Sequence, residues 1–251
     1  VSLHLRPGET LGVVGESGSG KSTLARAVLR LVKPTGGTVC LLGRELAQAT
    51  EQDVRPPRRD MQLVFQDPLA ALDPRMTIGR IIAEPLEAFE PGLSAADVTA
   101  RVSEAMQQVG LEPDWRNRYP HQFSGGQCQR VGIARALILK PKLLVCDEAV
   151  SALDVTIQAQ IVALLRELQA RLNLAIIFIS HDLAVVRRLS HRVLVMYLGK
   201  VMELADAEAL YRDPKHPYTR ALMAAVPIPD PRLEKTRVKA LATGDVPSPL
   251  A

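Results

Sequence analysis

The feature that most constrains this chain is a glycine-rich stretch, GESGSGKST, at residues 15–23. It follows an apolar run at residues 10–14, which predicts a buried strand, and precedes helical spacing at residues 24–32. In this context the pattern G-x-x-x-x-G-K-[ST] forms a phosphate-binding loop. Backbone N–H groups and a helix N-terminus face the anion, Lys21 adds a full positive charge, and the Ser22 hydroxyl can bind Mg²⁺. We therefore expect an anion with several oxygens, rather than a bare tight turn, at this phosphate loop.

Strand and helix signals alternate along the rest of the chain and predict an α/β fold. Strands are predicted before Pro7 and at residues 10–14, 38–42, 61–65, 142–146, 175–179 and 192–197, and helices at residues 77–89, 94–109, 128–139, 156–172 and 183–189. Residues 67–75 hold two prolines and little periodicity, and the patterns that follow are helical, so we interpret residues 67–140 as a helical insertion. Alternation of this kind implies a parallel sheet that binds ligands at the carboxyl ends of its strands. Four polar residues stand at such ends: Gln66, Asp147, Glu148 and His181.

These four residues suggest metal and base chemistry. Consecutive strand residues point to opposite sides, so Asp147 and Glu148 need not share a role. One carboxylate can join an Mg²⁺ shell while the other activates the water that attacks phosphorus, whereas two solvated acids are the alternative. His181 can donate a hydrogen bond to a γ-phosphate. The amide of Gln66 can accept from metal-bound water and donate to the attacking water, which suits a sensor of the phosphate state.

A second glycine-containing segment, SGGQ at residues 124–127, opens the predicted helix at residues 128–139. Ser124 is a suitable N-cap, and the two glycines expose backbone amides at the positive end of the helix dipole. The segment is either a plain helix cap or a second anion site. Because one nucleotide has a single γ-phosphate, a two-fold dimer in which this segment caps the partner's nucleotide is the economical arrangement.

Composition narrows the classes of protein that are possible. A hydrophobic content of 47% with 23% charged residues is ordinary for a soluble globular protein, and no signal peptide or stretch of about 18 apolar residues is present. The pI near 9.1 would permit a nucleic-acid partner, but the basic residues are scattered, so we interpret them as solvated surface and expect no nucleic acid. Cys40, Cys128 and Cys146 have neither disulfide nor zinc spacing.

In their order and spacing, the motifs make the chain similar to the nucleotide-binding subunits of ABC transporters over almost its whole length. The motifs are the phosphate loop, Gln66, residues 124–127, the strand that ends in Asp147-Glu148, SALD at residues 151–154, and His181. The resemblance implies an α/β P-loop NTPase with a RecA-like core sheet and an inserted helical subdomain. The implied ABC nucleotide-binding domain spans residues 1–204, with core segments 1–66 and 141–204 and helical subdomain 67–140, and residues 205–251 form a proline-rich C-terminal extension.

The resemblance also implies individual roles, with ATP and Mg²⁺ as cofactors. Glu148 is expected to be the catalytic base and His181 a switch histidine, with Gln66 as the third catalytic residue. The expected ATP ligands are Gly15, Glu16, Ser17, Gly18, Ser19, Gly20, Lys21, Ser22, Thr23, Gln66 and Asp147. Ligands from across the dimer are Ser124, Gly125, Gly126, Gln127 and Asp154, and the metal ligands are Ser22, Gln66 and Asp147. Ala149 replaces the family's usual proline, a change that we expect to be tolerated because it alters backbone stiffness rather than the carboxylates.

Further motifs resemble the branch of importers for oligopeptides, dipeptides, glutathione and nickel. They are VFQDP at residues 64–68, LDPR at 72–75, YPHQF at 119–123 and HPYTRAL at 216–222. The branch implies a peripheral subunit on the cytoplasmic face of the bacterial inner membrane, paired with an identical or paralogous ATPase. The pair docks beneath two transmembrane permease subunits and powers uptake from a periplasmic binding protein. Residues 66 to about 85 are expected to hold the groove for the coupling helices of the permease.

We therefore expect an ATPase that drives uptake of a peptide-like substrate. A soluble ABC-type ATPase that acts on DNA or ribosomes is the alternative from another class, although the insertion has no long heptad run and the chain has no basic block. A small-molecule kinase is a third possibility, but it leaves residues 124–127 without a purpose. The adenine-stacking aromatic of the family is expected to precede Val1, and an iron–sulfur cysteine cluster to follow residue 251, so we expect a trimmed chain.

Overall fold

A six-stranded sheet organises this protein, in a computed structural model that describes residues 1–225. The strand order is β4-β5-β6-β1-β7-β8, and all neighbours are parallel except β7 and β8. The strands are β1 (Thr10–Val14), β2 (Cys40–Leu41), β3 (Arg44–Glu45), β4 (Met61–Val64), β5 (Leu143–Asp147), β6 (Ala175–Ile179), β7 (Arg192–Tyr197) and β8 (Lys200–Asp206). Since β1 lies between β6 and β7, the phosphate loop that follows β1 emerges near the middle of the sheet.

Helices cover both faces of this sheet. They are α1 (Lys21–Val28), α2 (Glu51–Val54), α3 (Ile78–Phe89), α4 (Ala95–Gln108), α5 (Gly125–Leu137), α6 (Val155–Leu172), α7 (Leu183–Leu189), α8 (Ala207–Arg212) and α9 (Pro217–Ala224). Short 3₁₀ turns lie at Pro56–Asp60, Pro113–Asn117 and Pro120–Gln122. Strand β6 shows why the strands read as continuous apolar runs: Ile176 and Phe178 pack in one layer, and Ile177 packs in the other.

Helices α3, α4 and α5 lie between β4 and β5 in the chain and pack around a buried centre that includes Ile82, Met106 and Ile133. Glu90, at the end of α3, accepts hydrogen bonds from Arg101 on α4 and from Arg59 in the 3₁₀ turn before β4. This carboxylate therefore joins the inserted helices to the sheet. The arrangement agrees with the predicted α/β fold with a helical insertion.

Several local predictions were wrong. No strand precedes Pro7, and the strand predicted at residues 38–42 is reduced to Cys40–Leu41 in a separate hairpin, because these largely exposed residues have no place in the main sheet. Helix α1 begins at Lys21 and α5 at Gly125, each three residues earlier than predicted. Gly20 caps α1, whereas Gly125 and Gly126 are the first residues of α5. Strand β8 was missed because its mixed polar sequence is only partly buried at the sheet edge.

The predicted C-terminal extension is described only in part. Its first residues complete β8 and form helices α8 and α9, which the proline content had obscured. Residues 226–251, which include Pro227, Pro229, Pro231, Pro247 and Pro249 of this proline-rich extension, lie outside the described residues. Among residues 1–225, no helix is both long enough and apolar enough to cross a bilayer.

Candidate functional site

The phosphate loop connects β1 to α1 with an unusual backbone. Gly15 has φ 153° and Gly20 has φ 95°, and Gly20 caps α1 without any side-chain hydrogen bond. A Cβ atom at Gly15 would stand 2.2 Å from the carbonyl oxygen of Met196, so only glycine fits there. The helix therefore begins with backbone N–H groups that no side chain has capped, which is the arrangement that binds anions.

Lys21 supplies the positive charge of this loop from a buried position. Its Nζ donates to the carbonyl oxygens of Gly15 at 2.9 Å and Glu16 at 2.8 Å. Burial lowers the pKa of the Lys21 ammonium, while the carboxylates of Glu148 and Asp147 act in the opposite direction. The phosphate loop thus surrounds the Lys21 ammonium, which bonds to loop carbonyl oxygens and lies near two carboxylates. A bound polyphosphate would replace these carbonyl oxygens as the partner of the ammonium.

Ser22 and Asp147 meet directly, although they are far apart in sequence. The hydroxyl of Ser22 donates to Oδ1 of Asp147 at 2.9 Å, which joins the first turn of α1 to the end of β5. A hydroxyl and a carboxylate are oxygen ligands of the kind that Mg²⁺ prefers, so this pair fits that ion. Within residues 1–225, no group of three or more His, Cys, Asp and Glu residues could hold a metal by itself. A metal here would need oxygens from the bound phosphate as well.

Glu148 follows Asp147 but leaves the strand. Its φ is 51°, and its backbone N–H donates to the carbonyl oxygen of Ile179 at 3.0 Å. The premise that Asp147 and Glu148 are consecutive strand residues was therefore wrong, because β5 ends at Asp147 and Glu148 has a left-handed backbone. The Ser151 hydroxyl donates to the Glu148 carbonyl at 2.9 Å, which helps to hold this costly backbone conformation.

The Glu148 side chain stands between the other two predicted catalytic residues. Nε2 of Gln66 donates to its Oε2 at 3.1 Å, and Nδ1 of His181 lies 3.7 Å from its Oε1. The Glu148 side chain is 22% exposed and that of His181 is 62% exposed, so the base is sheltered while the histidine reaches solvent. Because β4, β5 and β6 are neighbours, their carboxyl ends bring together residues that the sequence separates widely.

Residues 124–127, by contrast, close their own helix. Oγ of Ser124 accepts from the Gln127 backbone N–H at 3.3 Å, and Oε1 of Gln127 accepts from the Ser124 N–H at 2.9 Å. This capping box confirms Ser124 as an N-cap. Gly126 has a packing role as well, because a Cβ there would lie 2.4 Å from Cγ2 of Ile157.

Asp154 lies on the element that packs against this segment. Its side chain caps α6 by accepting from the backbone N–H of Ile157 at 3.0 Å. Among residues 1–225, no hydrogen bond joins residues 124–127 or Asp154 to the phosphate loop. The structure therefore divides the predicted ATP ligands into one set around the phosphate loop and a second set that does not touch it within the chain.

Sequence reasoning missed the turn that supports the phosphate loop. Between β7 and β8, the Gly199 N–H donates to the Ser19 carbonyl at 3.0 Å, and Gly199 approaches Gly20 closely. Leu198 and Gly199 both have positive φ, of 45° and 75°. The Leu-Gly pair that follows the apolar sequence of β7 was the signal for a tight turn. The sequence did not indicate that this turn would contact the phosphate loop.

A groove opens between the sheet and the inserted helices. Its volume is about 320 Å³, and its lining includes Phe65, Pro68, Leu72, Glu84 and Pro85. Phe65, which lines it, is 50% exposed, and the nearby Leu69, which follows Pro68 in the chain, is 55% exposed. Gln129 on α5 also lines it, and neither amide atom of this buried side chain has a hydrogen-bond partner.

Comparisons with known proteins agree with this geometry. A family model described as "ABC transporter" matches residues 1–151, and one described as "Oligopeptide/dipeptide transporter, C-terminal region" matches residues 202–250. The chain is 61% identical to the oligopeptide transport ATP-binding protein OppF of Escherichia coli, over 100% of this chain and 75% of the relative. It is 54% identical to a putative peptide import ATP-binding protein of Brucella ovis, over 99% of this chain and 78% of the relative.

Solved structures agree as well. A dimeric post-hydrolysis state of the ATP-binding cassette MJ0796 bound to ADP and phosphate has a TM-score of 0.74 at 31% identity, covering 82% of this chain and 89% of that one. The cassette cbiO1 of Clostridium perfringens, part of the ABC transporter complex cbiONQ, has a TM-score of 0.79 at 25% identity, covering 94% of this chain and 90% of that one.

Proposed function

Since the chain belongs to the family of ABC transporter ATP-binding subunits, we propose that it hydrolyses ATP at the site around Glu148 to drive uptake of peptide-like substrates. The observation that carries the proposal is the junction at the end of β5. Asp147 accepts a hydrogen bond from Ser22 in the phosphate loop, and the next residue, Glu148, contacts Gln66 and lies near His181. A phosphate-binding device and a sheltered base therefore share one strand end.

The chain's own residues account for the chemistry of hydrolysis. Lys21 and the open N-terminus of α1 offset the charge of the phosphates. Glu148 accepts the proton of the attacking water, and Gln66 orients that water through its amide. His181 is placed to donate to the γ-phosphate. The Ser22 hydroxyl, the Asp147 carboxylate and the side-chain amide oxygen of Gln66 would hold Mg²⁺. When bound, this ion would neutralise charge on the phosphates.

A second subunit completes the site in this proposal. Ser124 is exposed and Gly125 is partly exposed, yet neither is bonded to the phosphate loop of its own chain. In a two-fold arrangement, the N-terminus of α5 and Asp154 of one subunit would reach the nucleotide held by the other. Two of the similar solved structures are described as dimeric, which supports this arrangement. The partner is an identical or paralogous ATPase.

The groove beside Gln66 supports a permease as the further partner. Its lining includes Pro68, Leu72, Glu84 and Pro85 from the segment 66 to about 85 that was expected to receive the coupling helices, and the large apolar side chain of Phe65 is half exposed there. We place the subunit on the cytoplasmic face of the bacterial inner membrane, beneath two permease subunits that are served by a periplasmic binding protein.

The cargo follows from the relatives. Those reported above are described as oligopeptide transport or peptide import ATP-binding proteins, and the C-terminal match is to an oligopeptide/dipeptide transporter region. A peptide, or a peptide-like molecule such as glutathione or a nickel chelate, is therefore proposed. These descriptions do not support the two alternatives, a soluble ATPase that acts on DNA or ribosomes and a small-molecule kinase.

The decisive test is Glu148→Gln in the full-length protein. The amide keeps the shape of the side chain but cannot accept the proton, so steady-state hydrolysis should fall by about 10²–10⁴-fold while ATP binding is retained. Glu167→Gln is the matched control, because Glu167 is 64% exposed on α6 and, within residues 1–225, forms an ion pair only with Arg171. Unimpaired turnover in Glu148→Gln would exclude Glu148 as the base.

The transport assignment is tested separately by co-expression with permease genes from the same organism. We expect the subunit to co-purify with the permease in detergent. Salt-sensitive binding to nucleic acid, with no permease association, would instead support the soluble alternative.

A further inference from the structure

Helix α9 reaches the phosphate loop from the C-terminal part of the chain. The backbone N–H of Glu16 donates to Oη of Tyr218 at 3.3 Å, across 202 residues of sequence. Glu16 is the second residue of the phosphate loop, and its own side chain is exposed. Helix α9 contains most of the sequence motif HPYTRAL, to which the sequence analysis assigned no chemistry. This helix therefore holds the backbone of the phosphate loop.

An aromatic contact strengthens this link. The rings of Tyr197 and Tyr218 have centroids 4.6 Å apart and are tilted by 41°. Tyr197 ends β7 and leads into the turn whose Gly199 N–H donates to Ser19 in the loop. Tyr218 thus contacts the phosphate loop directly and also packs against the residue that begins its supporting turn.

The segment before α9 is anchored so that Tyr218 has a defined position. The carboxylate of Glu203 on β8 accepts the backbone N–H groups of Lys215 at 2.9 Å and His216 at 3.0 Å. Burial raises the pKa of Glu203, but these and other hydrogen bonds outweigh it and leave the pKa below its ordinary value. Nδ1 of His216 accepts from the Tyr218 N–H at 3.1 Å and caps the helix, whose first residue is Pro217.

We propose that Tyr218 is a positioning residue that holds the start of the phosphate loop, so that the C-terminal helix α9 sets the affinity of the site for ATP. The inference rests on the proposed ATPase function. A loop held in its binding conformation loses less conformational freedom when the ligand arrives, and the ligand then binds more tightly. Since coupling is reciprocal, bound ATP must also stabilise the docked position of α9.

Tyr218→Phe in the full-length protein tests the hydroxyl alone. The ring can still pack on Tyr197, but Glu16 loses its acceptor. We expect the Kd and the KM for Mg-ATP to rise by about two- to fivefold, as for one neutral hydrogen bond, with kcat unchanged. Tyr218→Ala, which also removes the ring, should raise the Kd by about tenfold.

Tyr211→Phe is the matched control for a lost tyrosine hydroxyl in the same C-terminal region. Its hydroxyl donates to the Leu183 carbonyl and not to the phosphate loop. This variant should leave the Kd for ATP unchanged. A fall in thermal stability without a change in Kd in both Tyr211→Phe and Tyr218→Phe would show that the two hydroxyls are merely structural, and would overturn the proposal.

Hydrogen exchange supplies the reciprocal readout. In the wild-type protein, Mg-ATP should slow exchange of the backbone amides of α9, and the effect should shrink in Tyr218→Phe. Wild-type affinity in both Tyr218 variants, or no ATP-dependent protection of α9, would overturn the inference while leaving the ATPase function intact. A wild-type protein that does not bind ATP would overturn both.

Discussion

Two glycine-containing segments open helices in this protein, and the structure treats them in opposite ways. At the phosphate loop, Gly20 caps α1 with no side-chain bond, and Lys21 turns its ammonium into the curl of the loop. At residues 124–127, Ser124 and Gln127 satisfy each other's backbone in a complete capping box, and Gly126 is buried against Ile157. Both segments present a helix dipole, but only the first also brings a buried cation.

The difference teaches what a helix N-terminus contributes by itself. The dipole is common to both helices and is worth a few tenths to about 1 kcal/mol at a surface. The phosphate loop adds uncapped N–H groups and a full positive charge, which attract a polyanion, and the nearby Asp147 carboxylate could hold a metal ion that binds the same phosphates. Residues 124–127 contribute only a helix N-terminus, at which Ser124 is exposed and Gly125 partly exposed, so in our proposal they complete the binding of a nucleotide that another subunit already holds.

The strongest challenge to this comparison is Lys21→Ala, set against Lys33→Ala. Loss of the buried cation should lower kcat/KM for ATP by about 10³-fold, because no other cation lies within the curl of the described loop. Lys33 is exposed beyond α1, so its removal should have no effect. Steady-state ATPase assays measure both. Activity near that of the wild type would contradict the assignment.

Ser124→Ala, compared with Ser94→Ala, tests the second segment. Each serine caps a helix of the insertion by accepting a backbone N–H three residues later, so each substitution should lower the free energy of unfolding by about 1 kcal/mol. Only Ser124→Ala should also lower the ATPase rate, by about 100-fold. Urea titrations and ATPase assays separate the two effects. Equal activity in both variants would reduce residues 124–127 to a helix cap.

The smallest expected effect concerns Glu90, which joins the inserted helices that carry residues 124–127 to the sheet that carries the phosphate loop. Glu90→Gln weakens the link between the inserted helices and the sheet and should cost about 1 kcal/mol of folding free energy at pH 7. The hydrogen bond from Arg101 lowers the pKa of Glu90, burial opposes this, and Arg59 adds to it.

A lowered pKa in the folded state means that Glu90 stabilises the fold above its ordinary value of 4.5 and loses this contribution as the pH falls through the folded pKa. Urea titrations should therefore show a difference between wild type and Glu90→Gln that is full at pH 7 and shrinks in acid. Glu87→Gln, at an exposed position on α3, should show no difference at either pH. A difference for Glu90→Gln that did not depend on pH would contradict the ionic role of this carboxylate.

The parts of the site that could be predicted share one property, which is that they are local. The phosphate loop is a run of adjacent residues between a strand and a helix, and Ser124 caps a helix that starts at the next residue. Glycine spacing and apolar periodicity encode such features within a few turns of the chain. The same apolar pattern predicted that Asp147 ends a strand, but it did not predict the left-handed backbone of Glu148.

By itself, the sequence determined the α/β alternation, the phosphate loop and the candidate acids at strand ends, because these depend on short-range pattern. Tertiary structure alone decided that Glu148 meets Gln66 across 82 residues, that Ser22 meets Asp147 across 125, and that Tyr218 meets Glu16 across 202. These contacts follow from the strand order β4-β5-β6-β1-β7-β8. Burial of apolar faces on both sides of the sheet selects that order, and it does so only when the whole chain packs together.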